Sequence, residues 1–244
     1  MYEDNYEGIL NKRDGVSAEA DKAESRELQE KYSFLGEKTK TIFWCEIIIV
    51  ILGFISSLIS EAGGNKSSAY TNSEILPVLI FLGGAGVICS ILYCVALIKM
   101  SKYNARLLTA AILLFVSKVF DGIEETHIVD QTSALLGILF SLFSLVVTIV
   151  QAWYFISGMR DLLLDVDPDL EDRWEKLWKI YLILIIATIV ATILLYAPVI
   201  QVLAGLALVV IVIVGLGISI WRFVLIWKAA ECFTGFAKYV ESQD

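Results

Sequence analysis

Of 244 residues, 57% are hydrophobic and the mean hydropathy is +0.73, more apolar material than one water-facing globular surface accommodates. The net charge of -8 argues against a nucleic-acid partner, and a single histidine excludes a multi-histidine metal centre. Neither H-E-x-x-H nor G-x-S-x-G occurs, and no glycine-rich loop ends in Gly-Lys-Ser/Thr, so zinc-protease, serine-hydrolase and P-loop chemistries have no foothold.

Residues 1–40 are polar and rich in acids. The stretch "VSAEADKAESRELQEKYSFLGEK" holds strong helix formers and an i,i+4 pair of Glu27 with Lys31, while its apolar positions are too sparse to build a core. A solvated, partly helical segment is expected there, with a docking arm for a protein partner as the sharper alternative.

Six apolar blocks follow, at 41–60, 76–98, 107–123, 133–158, 177–197 and 203–227. A hydrocarbon core about 30 Å thick needs roughly 20 such residues as helix, and continuous apolarity rather than alternation rules out barrel strands. The expected fold is therefore an all-α integral membrane protein with six transmembrane helices. Pro198, Gln201 and Gly205 are the turn signals dividing the last two blocks. The even-numbered spans end alike, with Tyr93 before Lys99, Tyr154 before Arg160 and Trp221 before Lys228. Three helical hairpins in series would give this pattern, and so would the aromatic belt and the positive-inside rule.

Basic residues set the orientation. With the N-terminus in the cytosol, Lys38, Lys40, Lys99, Lys102, Arg106, Arg160, Arg173, Lys176, Lys179, Arg222, Lys228 and Lys238 all lie on that side, leaving Lys66 outside. Both termini are then cytosolic, and a plasma membrane, or a bacterial inner membrane, is the expected location. Cys45, Cys89 and Cys94 fall inside spans and Cys232 in the tail 231–244, so no outward pair exists for a disulfide.

Between the fourth and fifth spans, "LLLDVDPDLEDRWEKLWKIY" places Asp167 as an N-cap, Pro168 at N1 and acids in the first turn, so the fifth helix should begin well before its apolar block. Trp174, Trp178 and Tyr181 share one face, as an interfacial segment would. Asp165, Asp167 and Asp169 match the first calcium-loop positions, but Leu170 replaces the turn glycine and Lys176 the bidentate glutamate.

Charges inside spans are costly and mark candidate sites. Glu46 should lie about 9 Å, and Lys118 about 18 Å, from the cytosolic surface. Lys118 has Asp121 one turn outward on nearly the same face, and His127 follows among acids at the outer interface. Ser141, Ser144, Thr148 and Gln151 form one polar stripe on the fourth span, suited to lining a pore or, more commonly, to bonding neighbouring helices. The candidate intramembrane polar site is accordingly Glu46, Lys118, Asp121 and Gln151, with no catalytic, cofactor or metal residues assigned. The expectation is a non-enzymatic membrane component acting through a protein partner at the cytosolic face; the alternative is a small-solute or ion transporter using Glu46.

Overall fold

Hydrocarbon offers a backbone no water to bond, so apolar blocks satisfy their amides internally as helices. The computed structural model describes residues 18–62, 76–125, 134–195 and 201–243, and among them only 101–105, 164–167 and Leu195 are not helical. The helices are α1 Ala18–Ala62, α2 Leu76–Met100, α3 Arg106–Glu125, α4 Ala134–Leu163, α5 Pro168–Leu194 and α6 Gln201–Gln243. Among the described residues, five helices, α1, α2, α4, α5 and α6, are long and apolar enough to cross a membrane. The connections expected to face outward fall largely in 63–75, 126–133 and 196–200, outside the described residues, as does His127.

The chain divides into two compact units, Glu37–Phe155 and the residues up to Gly36 joined with Ile156 onward. Within the first, α2 and α3 are antiparallel neighbours. Their connection is tight: Tyr103 N–H donates to Met100 O at 3.0 Å, and Asn104 Oδ1 accepts from Arg106 N at 2.9 Å. α3 is the most one-sided of the six helices: Leu107, Ala110, Ala111 and Ser117 are buried, while Leu108, Ile112, Phe115 and Val119 are exposed. A face of bare branched and aromatic side chains suits hydrocarbon rather than water.

In the second unit, α5 and α6 pair antiparallel. Leu177, Leu184, Ala191 and, on α6, Ala204 and Gly215 lie on contact stripes spaced by three and four residues; Leu184 Cδ2 lies 3.5 Å from where a Cβ on Gly215 would stand. The rest of this part of α6 is bare, including Leu206, Val210 and Ile213. Further along the same helix the pattern reverses. Leu225, Ile226, Ala229, Ala230, Phe233, Phe236, Ala237 and Val240 are buried.

α1 is 45 residues and α6 is 43, each about 65 Å at 1.5 Å per residue and so twice a bilayer's hydrocarbon thickness. Their excess lengths form a helix-extension module with the α4–α5 connection. Residues 231–243 are helix with Phe233 and Phe236 buried, and residues 22–36, with few apolar positions of their own, contribute Tyr32 and Leu35 to the same core. Each segment alone is too sparse; the pair supplies one shared apolar interface.

Candidate functional site

Two places gather unusual chemistry, one in each unit. In Glu37–Phe155, Glu46 on α1 is 8% exposed and accepts a 2.6 Å hydrogen bond from Tyr93 Oη on α2. Phe155 stands edge-on to the Tyr93 ring at 6.2 Å. No signal along the chain joins residues 46 and 93, and Tyr93 reads in sequence only as a span-end aromatic. The acidic oxygen is thus paired with a phenol at the level of an apolar aromatic wall.

Contacts fix the levels of the other predicted residues. Cys94 Sγ donates to Ala111 O at 3.8 Å, so the Glu46–Tyr93 pair is level with about Ala111 on α3. Lys118 is exposed and lies seven residues further along α3, about 10 Å at helical rise. Between them on α4 are Gln151, buried and one turn from Phe155, and Thr148, whose Oγ1 is 3.5 Å from Ser117 Oγ. Thr148 also donates to Ser144 O at 3.0 Å. Glu46–Tyr93 and Ser117–Thr148 are therefore two polar pairs at successive levels of this unit, with buried Gln151 at an intermediate level on α4 and Lys118 further out on α3. Asp121 follows Lys118 by one turn of α3, and its side chain is outside the described residues.

Leaving a buried polar group short of a hydrogen-bond partner costs about 1–3 kcal/mol. Tyr93→Phe should destabilise by about that amount, because it removes a donor from the buried Glu46 carboxyl; Glu46→Gln, which keeps an acceptor for Tyr93, should cost less. Thermal unfolding in detergent measures both, and equal midpoints for wild type and Tyr93→Phe would show the bond contributes nothing.

The other place is the helix-extension module. Asp167 caps α5 as predicted, its Oδ1 accepting from Leu170 N at 2.9 Å, with Pro168 following. The cap fixes the first turn of α5, aiming Glu171 at Arg160 near the end of α4. Arg160 Nε donates to Glu171 Oε1 at 2.5 Å, Arg160 Nη1 is 3.8 Å from Glu175 Oε2, and Lys179 Nζ reaches Glu175 Oε1 at 2.7 Å. Lys179 first, then Arg160, holds the Glu175 carboxyl below its usual range, so this ladder persists at neutral pH and is lost as pH falls through the carboxylate range. Trp174, expected at the interface with Trp178 and Tyr181, is instead fully buried. Trp178 and Tyr181 remain together, 6.0 Å apart, and half-exposed.

Across the module, Tyr32 packs edge-on to Phe236 at 4.7 Å and against Phe233 at 6.0 Å. Burial, with the nearby Asp165 and Cys232, raises the Tyr32 phenol to about 12 from an ordinary 10.0. The neutral phenol is the form the fold favours, so its contribution is intact below pH 10 and is lost between about 10 and 12. Tyr32→Phe should flatten that alkaline loss while leaving neutral stability nearly unchanged; a pH series of unfolding midpoints checks it, and parallel curves would remove Tyr32 from the account.

Gly36 completes the module. A Cβ there would lie 2.6 Å from Thr234 Oγ1, 3.2 Å from Thr234 N and 3.3 Å from Ala230 O, so α1 and α6 approach closely only because glycine stands at 36. Thr234 Oγ1 meanwhile donates back to Ala230 O at 2.7 Å.

No known protein family, curated protein or solved structure matches this chain. What the fold defines is a class: among the described residues, an all-helical protein with five helices long and apolar enough to cross a membrane, a buried Glu46–Tyr93 pair in one unit and an aromatic core in the other.

Proposed function

We propose that the chain is a six-span membrane protein of the plasma membrane, or of the inner membrane in a bacterium. Both termini are cytosolic, and it is a non-catalytic component acting on a protein partner through the helix-extension module. The distribution of lysine and arginine supports the orientation. α3, at 20 residues, supplies the sixth span, with Lys118 snorkelling along it.

One observation carries the functional reading. Around Tyr32, Trp174, Phe233 and Phe236 the chain builds a packed core outside the apolar lengths of its helices, which crossing a bilayer does not require, and clothes it with charge. Glu24, Glu27 and Glu30 are exposed on α1, so they are the place to test recognition. The full chain is purified from its own membrane, and a triple charge reversal to lysine at 24, 27 and 30 is compared with wild type. The reading expects a stoichiometric protein that accompanies wild type and is lost in the variant at unchanged unfolding midpoint. A wild type that carries no protein overturns it.

The buried Glu46–Tyr93 pair favours a second reading, a small-solute or ion transporter with Glu46 at its centre. Proteoliposome flux that disappears in Glu46→Gln would establish it. Flux no greater than that of empty liposomes, under proton and cation gradients, would retire it.

A further inference from the structure

The charges of the chain are not spread evenly over its polar ends. From Glu74 to Asp121 there is no acidic residue, and the α2–α3 connection carries Lys99, Lys102 and Arg106 within eight positions. All three are exposed. Glu37, at the head of this unit, is engaged by Lys38 Nζ at 2.5 Å, and Lys38 first, with Lys99 more weakly, holds its carboxyl below the usual range. By contrast, residues 160–175 at the α4–α5 connection hold seven acids against two arginines.

The basic turn is rigid. Ser101 N–H donates to Leu97 O at 2.9 Å and Leu107 N–H to Asn104 O at 3.1 Å, and Leu97, Met100 and Leu107 beneath it are fully buried. Lys102 Nζ lies over the Tyr103 ring at 5.4 Å. Immediately along the two helices, Ile91, Val95 and Ile98 on α2 and Leu108 and Ile112 on α3 are bare. Cations fixed at the end of an exposed apolar strip match an amphiphile with an anionic head and hydrocarbon tails.

We infer that the α2–α3 turn is a binding surface for an anionic phospholipid, its headgroup phosphate held by Lys99, Lys102 and Arg106 and its acyl chains laid along the exposed strips of α2 and α3. Juxtamembrane cations attract anionic lipid with about a fivefold gain each, so the three together give about a 100-fold preference over zwitterionic lipid. The inference rests on the six-span reading, because a membrane-crossing α3 is what puts this turn at headgroup level.

The test is native mass spectrometry of the full-length protein in neutral detergent with equimolar phosphatidylglycerol and phosphatidylcholine. Wild type should retain phosphatidylglycerol selectively. The variant Lys99→Gln/Lys102→Gln/Arg106→Gln should fall to the phosphatidylcholine level, while Lys176→Gln/Lys179→Gln, at the acid-rich connection, should keep the preference. Equal retention by wild type and the triple variant overturns the site, as does displacement of the lipid by inorganic phosphate. Labelling of Ser101→Cys and Ile128→Cys by an impermeant maleimide from opposite faces of the membrane tests the crossing of α3 separately; labelling from the same face overturns that reading, so loss of the site and loss of that reading give different results.

Discussion

Gly36→Leu should dismantle the helix-extension module. The existing contact leaves 2.6 Å between a new Cβ and Thr234 Oγ1, and behind that hydroxyl stand the backbone atoms Thr234 N and Ala230 O, which cannot rotate away. Overpacking a tight interface costs about 1–3 kcal/mol even where side chains can adjust. Here α1 and α6 must separate, so the upper end of that range or beyond is expected. Gly36→Ala should be milder, and combining it with Thr234→Ala should recover part of the loss by removing the closest atom. Unfolding midpoints and protease resistance of residues 22–36 read the series; a Gly36→Leu protein as resistant as wild type would mean the close crossing does not stabilise the module.

The second large effect is expected at Arg160. Glu171 is nearly buried, its side chain 11% exposed, and Arg160 is its cationic partner on the facing helix. Removing one member of a buried pair leaves an uncompensated charge, typically at about 3–5 kcal/mol. Arg160 itself is 41% exposed, and water reaching the vacated space would hold Arg160→Met toward the lower end. Arg160→Lys should also lose stability, because one ammonium cannot reach Glu171 and Glu175 as the planar guanidinium does. The double variant Arg160→Met/Glu171→Met should return most of the loss, since paired deletion leaves no buried charge. Non-recovery in that cycle would show that the single-variant loss comes from packing of the arginine stem.

Local chemistry made much of this fold legible. The apolar blocks located the helices, and Asp167 and Pro168 announced the start of α5. Gln201 and Gly205, read as turn signals, lie instead within α6, while Pro198 is outside the described residues. Glu46 stood out because a carboxylate in an apolar block has few cheap explanations. What escaped was pairing at long range. Tyr32 and Leu35 make a narrow stripe, as do Phe233, Phe236 and Val240, and neither suggests a core until about 200 residues of separation in sequence are closed in space. Trp174 escaped for a different reason: an indole suits an interface and a core equally, and only the fold around it decides. Tyr93 carried no hint of Glu46, because a hydrogen bond between helices leaves no periodicity in either.

The unbroken length of α6 has a consequence for how the module is assembled. Leu225 to Val240 continue the same helix that is bare at Val210 and Ile213, with no linker between the two stretches. Residues 22–36 reach their partners only through residues 37–155, whose apolar helices suit the bilayer. Cut away from residues 37–155 and from the apolar lengths of α5 and α6, the module would be three unconnected fragments, each obliged to find the others by diffusion. Joined, they meet at the high effective concentration that a tether provides. The apolar helices thus serve as the loops of the extension bundle, and a version without them would need designed connections in their place.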